Sequence, residues 1–397
     1  KVLSRNNEGA GSMSLHLDIG YSQLNKKGEE LCGDSIEVLE SDDSSIVVLA
    51  DGLASGVKAN ILSRITAKTA ATMLKMGCHI DEVIETMAET LPVDKVRNLA
   101  YSTFSILQVF NDGQAYLAEF DNPPSYLGYK ESLLFIKRTE RSAGDKKIRE
   151  AHLSLQDGNW LVLVTDGVLH AGIGGAWNLG WGKEEVGKYI KRLAARGPVL
   201  DATDWAEEIT QKCRQLYYHQ PGDDVSVVVV KIRQERKLTA LIGPPRDPVN
   251  DRLAVEKFIA PEGVKVVCGG TTSNLVSRVL NREVSVNLGS ESETIPPTGQ
   301  IEGIDLVTEG AITIYYTLQY LKKGVKLRHL EGIRDGAGQL TAELLKADEI
   351  HFIVGLAINQ TFNYPGFPVS CVLKNQTVRD IAETLMGMGK RVTIEYL

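Results

Sequence analysis

No apolar run in the 397-residue chain approaches the roughly 18 residues of a membrane-spanning helix. Runs such as Val227-Val228-Val229-Val230 are short and none exceeds five residues, so a bilayer span is excluded. The five cysteines (Cys32, Cys78, Cys213, Cys268, Cys371) are scattered and form no Cys-x-x-Cys pair, which speaks against a zinc ribbon and against a disulfide framework. Basic residues are in deficit, 44 against 51 acidic ones for a net charge of −7, which disfavours broad nucleic-acid binding. The opening residues lack an apolar stretch before a cleavage site, so no secretory signal is expected and the cytoplasm is the default location. Polar Lys1–Ser12 ahead of Met13 reads as a vector-derived tail, residues 1–12, with Met13 as the native start.

What is present is ordinary globular material, 43% hydrophobic and 24% charged, enough for two or three domains. From Leu15 to about Ile232, short β-type runs alternate with turns. Ile46–Ala50 ends at Asp51-Gly52, Trp160–Val164 ends at Asp166-Gly167, and Val225–Ile232 begins just after Asp223-Asp224. Phe104–Val109 and Ala115–Phe120 flank Asn111-Asp112-Gly113-Gln114, a hairpin signal. Val57, Ile61, Leu62, Ile65, Met73 and Leu74 predict an amphipathic helix after Gly56. Val83, Ile84, Met87 and Leu91 predict another, with Asp81 as N-cap and Pro92 past its end. Further helices are expected over about Lys183–Arg196 and Thr203–Tyr217. Strands with helices inserted in blocks predict an α+β domain over residues 13–233, a β-sandwich flanked by helices.

The charged run Lys231–Lys237 reads as a linker or strand end, with the linker placed at residues 234–238. Beyond it, residues 239–397 alternate strand and helix, which predicts a smaller α/β domain with a Rossmann-like open sheet.

In the first domain Asp34, Asp51, Asp166 and the pair Asp223-Asp224 all fall at strand ends or tight turns, with glycine beside Asp34, Asp51 and Asp166 and also before Asp223. A single Asp-Gly is most often only a turn. The joint occurrence, in order and beside hydrophobic strands, points to carboxylates gathered on one rim. Such a group stays ionised only if a cation offsets the repulsion, and oxygen-only donors suit Mg²⁺ or Mn²⁺ rather than zinc.

These residues carry a resemblance. Glu29-Glu30-Leu31-Cys32-Gly33-Asp34, Val47-Val48-Leu49-Ala50-Asp51-Gly52-Leu53-Ala54-Ser55-Gly56, Asn122-Pro123-Pro124-Ser125, Leu161–Gly167 and Asp223-Asp224-Val225-Ser226-Val227 together resemble bacterial serine/threonine phosphatases of the sporulation stage II protein E type. Those belong to the metal-dependent type 2C superfamily. The resemblance implies two Mn²⁺ or Mg²⁺ ions. Asp51 would bridge them, Asp34 and the Gly52 carbonyl would serve one, and Asp166 and Asp223 the other. Asp224 falls where the superfamily often has asparagine. Asp34, Asp51, Asp166 and Asp223 are thus the expected catalytic set, with Gly52 and Asp224 completing the metal site. Two cations about 3.5–4 Å apart can acidify a water for in-line attack on phosphorus. No cysteine has arginine six positions on, so the Cys-x5-Arg loop is missing. The resemblance further implies a phosphorylated bacterial regulatory protein as substrate, such as an anti-sigma-factor antagonist. No arginine matches the phosphate grip of many eukaryotic members; Lys26 and Lys27 lie nearby and read as solvated. His16 and His170 are candidate proton donors without further support. The glycine-rich stretch His170–Lys183, with Trp177 and Trp181, reads as a surface loop or as a flap that recognises substrate.

In the second domain, Val266–Asn274 reads as strand, glycine turn and helix start. Gly269, Gly270, Thr271, Thr272 and Ser273 could bind a small anion through free amides and hydroxyls; ordinary capping by Thr271 or Thr272 is the alternative. Gly243-Pro244-Pro245 and Asp335–Gly338 could line the same sheet edge. A sensory or partner-binding role is expected for this half. Two rival readings stand beside the phosphatase: a catalytically idle phosphoprotein scaffold, and a C-terminal nucleotide-binding domain regulated by the first half. No nucleic-acid or membrane partner is expected, and a homodimer is left open.

Overall fold

The computed structural model describes residues 15–357 and 374–397, apart from 42, 91–92, 95–98, 101, 144–145, 174–176, 198–199, 288–294 and 296. The expected start at Met13 and the tail before it lie outside the described residues, as does Pro92. The chain divides into two compact units, Lys1–Gln234 and Glu235–Leu397.

The first unit runs β1 (Leu15–Leu24), β2 (Ser35–Glu40), β3 (Ser44–Gly52), α1 (Gly56–Lys75), α2 (Ile80–Thr90), a short hairpin β4 (Val93–Asp94) and β5 (Leu99–Ala100), β6 (Ser102–Phe110), β7 (Gln114–Phe120), β8 (Tyr126–Tyr129), β9 (Ser132–Leu134), β10 (Thr139–Ala143) and β11 (Lys146–Ser154). It closes with β12 (Asn159–Val164), α3 (Asp166–Leu169), α4 (Gly182–Ala194), α5 (Ala202–Leu216) and β13 (Val225–Gln234). Among the described residues, two antiparallel sheets form, ordered β1-β13-β12-β8-β9 and β10-β11-β7-β6-β3-β2. Side chains alternate across each strand. Leu49, Leu107, Leu117, Leu161, Leu163 and Val228 therefore share a core between the sheets. Ile46, Val48 and Ala50 face α1 and α2, and Val162, Val164, Val227 and Val229 face α4 and α5. The result is the helix-flanked sandwich of the α+β class.

Helix α1 buries only the C-terminal part of the face its large residues suggested. Val57, Ile61 and Ile65 are exposed, while Ala59, Ser63, Thr66, Ala67, Ala70, Ala71 and Leu74 pack inward. The cause is close approach: a Cβ on Gly52 would stand 2.3 Å from the Ala59 carbonyl oxygen, so only small residues fit between α1 and β3. Asp81 falls inside the first turn of α2, which begins at Ile80, and pairs with Arg141 rather than acting as N-cap.

Trp181 belongs to the core and not to a flap. It is 4% exposed, among Val168, Val186 and Ile190, and lies 5.3 Å from Tyr189 edge-to-face. Trp177 is 42% exposed; Gly174 and Gly175 lie outside the described residues. Trp181→Ala is expected to lower unfolding stability by about 3–5 kcal/mol, and Trp177→Ala by less than about 0.5 kcal/mol. Urea unfolding monitored by circular dichroism checks both.

The charged run at the boundary is mostly strand. β13 continues to Gln234 and β14 (Lys237–Ile242) begins three residues on, leaving Glu235 and Arg236 between them. Lys231 sits 4.4 Å above the Trp205 ring, and burial holds its ammonium below the ordinary range.

The second unit continues with α6 (Asp251–Ile259), β15 (Val264–Cys268), α7 (Gly270–Leu280), β16 (Ser285–Asn287), β17 (Thr298–Gln300), β18 (Leu306–Thr308), α8 (Ala311–Lys322), α9 (Gly336–Lys346), β19 (Glu349–Val354), α10 (Lys374–Gly387) and β20 (Arg391–Tyr396). Its sheet is ordered β16-β17-β18-β15-β14-β19-β20. β18, β15, β14, β19 and β20 are parallel; β16 and β17 add an antiparallel edge. Numbered along the chain, the parallel strands lie in the order 3-2-1-4-5, that of an open doubly wound sheet with helices on its faces. Among the described residues, no helix is long and apolar enough to cross a membrane.

Candidate active site

The carboxylates meet at one rim of the sandwich because each lies within two residues of a strand end. Asp51 is the penultimate residue of β3, Asp166 follows β12 and opens α3, and Asp223 sits two residues before β13. Asp34 precedes β2, which pairs with the end of β3 through Ser35 and Ala50.

Asp34 is 3% exposed and fixed from two strands. The Thr165 hydroxyl donates to its Oδ2 at 2.9 Å, and that same hydroxyl oxygen accepts the Ser226 amide at 2.9 Å. Gln23 donates to the Ser226 hydroxyl at 2.9 Å. Burial, opposed by these hydrogen bonds and joined by the charges of Asp224 and Asp166, pushes the Asp34 carboxyl up to about 7. Asp51 is raised well above the usual carboxylate range by burial and by the charges of Asp34, Asp166 and Asp223. The groups acting on it most strongly are thus all acidic, and four of the sequence-predicted carboxylates fall within electrostatic reach of one another. Burial and Asp166 also raise Asp223, which the Lys26 charge lowers.

Asp224 is tied to the segment between β1 and β2. Its Oδ1 accepts the Lys26 amide at 2.9 Å, and its buried Oδ2 has no partner among the described residues. A Cβ on Gly33 would lie 2.8 Å from that oxygen, so a larger residue before Asp34 would collide with Asp224. Gly52 is buried, its strand pressed against α1. Gly167 is pinned by the Tyr217 hydroxyl, which donates to its carbonyl at 2.9 Å.

Two groups stand differently from the sequence reading. Lys26 is half-buried, its amide and charge both engaged at the rim, so it is not simply solvated. His170 lies one helical turn from Asp166, Nδ1 to Oδ2 3.8 Å. Asp166, His170 and Asp223 each offer a ligand atom within 4.8 Å of the others. His16 sits at the far end of β1, opposite Arg233, away from the Leu24–Val225 end that adjoins the site. Glu29 was not singled out from the sequence; it accepts from the Ser55 hydroxyl at 3.2 Å, tying the loop after Asp51 to the segment before Asp34.

The first unit thus carries a rim of buried and half-buried carboxylates on a helix-flanked β-sandwich. Residues 41–233 match the family model of stage II sporulation protein E (SpoIIE). A structure of the phosphatase domain and a regulatory-domain fragment of SpoIIE from Bacillus subtilis is 19% identical, with TM-score 0.48, over 56% of this chain and 64% of that one. The chain therefore spans under two thirds of that relative. The RsbU and RsbW domains of a Mycobacterium tuberculosis protein align at 14% identity and TM-score 0.46, over 62% and 67% of the two chains. RsbX in complex with magnesium aligns at 19% identity and TM-score 0.39, over 56% and 98%. No curated protein matches the chain.

Proposed function

We propose that the first unit is a metal-dependent serine/threonine phosphatase acting on a phosphorylated bacterial signalling protein, with the second unit as its sensory or partner-binding partner. The observation that carries this is the burial of Asp34 and Asp51 in a site where the dominant charges are those of Asp166, Asp223 and Asp224. Acidic groups so placed resist ionisation in the absence of a compensating cation. The donor set fits two hard divalent ions: carboxylate oxygens, the Gly52 carbonyl, and the orphaned Asp224 Oδ2 close by. Asp51 would bridge, Asp34 and Gly52 would hold one ion, and Asp166 and Asp223 the other. When bound, Mg²⁺ or Mn²⁺ supplies charge neutralisation for the phosphoryl oxygens and acidifies a water.

The chain itself does the positioning. Thr165, just past β12, and Ser226 on β13 fix the Asp34 carboxylate, so its orientation follows the rigid core. Tyr217 holds the Gly167 carbonyl and with it the start of α3, which carries Asp166. Lys26 offsets part of the negative charge around Asp223. The SpoIIE-type match supports a phosphoprotein substrate.

The test is hydrolysis of p-nitrophenyl phosphate and of a phosphoserine peptide by the full chain with Mn²⁺, with Mg²⁺ and with EDTA. Turnover that requires either ion is expected. Metal-independent turnover, or none under any condition, overturns the assignment and favours the idle scaffold.

A further inference from the structure

In the second unit, β15 and β18 are adjacent parallel strands whose last pair is Cys268 with Thr308. Each leads directly into a helix with glycine at the N-cap. Gly269 precedes α7 and Gly310 precedes α8, so the N-cap residue itself offers no capping side chain to either helix. The two glycines abut: a Cβ on Gly310 would stand 3.3 Å from the Gly269 Cα. Gly269 has φ of 117°, a conformation that other residues rarely adopt. Beyond it the start of α7 is open, since a Cβ on Gly270 would meet nothing within 4 Å.

α7 begins at Gly270, two residues earlier than the sequence pattern suggests, so Thr271 and Thr272 lie within its first turn and do not cap it. The first amides of an α-helix have no partner inside the helix, and the N-cap Gly269 has no side chain to take those of α7. Two buried oxygens beside the glycine pair, Thr272 Oγ1 and Glu309 Oε2, are also unpartnered among the described residues, and so is a third in the first turn of α8, Thr313 Oγ1. Thr272 and Thr313 are 0% exposed. The Thr272 oxygen is turned back toward the N-cap, 2.9 Å from where a Gly269 Cβ would be. Glu309 already accepts the amides of Gly310 and Ile312, which leaves its second oxygen facing no donor. Buried polar atoms without partners are rare, and three at the starts of α7 and α8 point to a missing ligand.

The chemistry of that ligand follows from the mixed character of the pocket. The α7 amides and the threonine hydroxyl call for an anionic acceptor such as phosphate. Glu309 would repel a bare anion and calls for a hydroxyl donor. We propose that the C-terminal ends of β15 and β18 bind a phosphorylated sugar, free or within a nucleotide, with its phosphate on the start of α7 and a sugar hydroxyl donating to Glu309. The site lies at the carboxyl ends of parallel strands, where open α/β sheets bind ligands.

Isothermal titration of the full chain with ADP, ribose 5-phosphate and inorganic phosphate tests this. EDTA is present throughout, so that the carboxylate rim of the first unit holds no phosphate through metal. ADP or ribose 5-phosphate is expected to bind at least about tenfold more tightly than phosphate, and which of them binds identifies the source. Glu309→Gln should remove about that factor for the sugar ligand and none for phosphate. Thr272→Val should weaken the sugar ligand, and Thr272→Ser should restore it, with thermal melts confirming that each variant is folded. Absence of binding by all three probes overturns the proposal. So does phosphate binding as tightly as both sugar phosphates with Glu309→Gln silent.

Discussion

Asp51→Asn is expected to lower metal-dependent hydrolysis by about a hundredfold or more and, at the same time, to raise the melting temperature of the metal-free protein. The two effects have one origin. Asp51 is held among Asp34, Asp166 and Asp223, and burial and those charges raise its carboxyl far above the ordinary range. In a metal-free chain that carboxyl is a liability, so a neutral isostere relieves repulsion. In a metal-loaded chain the same oxygens would bridge the ions, and the amide gives up the charge that holds them. Steady-state hydrolysis with Mn²⁺ and a thermal melt in EDTA measure the two sides. A variant with unchanged turnover contradicts the assigned role. A variant inactive but less stable in EDTA would make Asp51 a structural residue only.

The metal-free protein should also lose stability as pH rises through the range from about 4 to about 7, and added Mn²⁺ should reverse the loss. The sign follows from Asp34, whose carboxyl is pushed from an ordinary value of 3.8 up to about 7 in the folded chain. Between those values the folded state holds a proton that the unfolded state has released, so stability falls with rising pH. The slope is on the order of 1 kcal/mol per pH unit for this one group, and Asp51 adds in the same direction. Cation binding displaces the proton, so apparent metal affinity should rise across the same window. At a hundredfold excess over Kd the ion stabilises by about 3 kcal/mol. Melting curves from pH 4 to 8, with EDTA and with Mn²⁺, read both trends. A metal-free melting temperature that climbs across this window would show that these carboxylates are not strained in the fold.

The parts of this architecture legible in the sequence are those with a local signature. Strand-ending aspartates beside glycine stand out because the turn and the hydrophobic run before it are contiguous in the chain. For Asp51 and Asp166 that was enough to locate the rim. The parts that were not legible depend on approach between distant segments. Thr165 and Asp34 are 131 positions apart, and neither shows in isolation that one hydroxyl will fix the other's carboxylate. The α1 face was misjudged because hydrophobicity weighted Val57, Ile61 and Ile65, whereas the contact with Gly52 admits only the alanine side. Trp181 beside so many glycines looked like a loop residue, yet its ring is one wall of the core under α4. Glu309 is a lone acid in the sequence, and its only local sign is the Glu-Gly pair between β18 and α8 in the second unit.

The account rests on those rim oxygens gathering divalent ions, and crystals of the chain grown with Mn²⁺ and measured at the manganese absorption edge test it most directly. Two anomalous peaks are predicted, with Asp51 touching both, Asp34 and the Gly52 carbonyl on one, and Asp166 and Asp223 on the other. Anomalous maps without a peak among Asp34, Asp51, Asp166 and Asp223, from protein shown by equilibrium dialysis to be saturated with the ion, would contradict it.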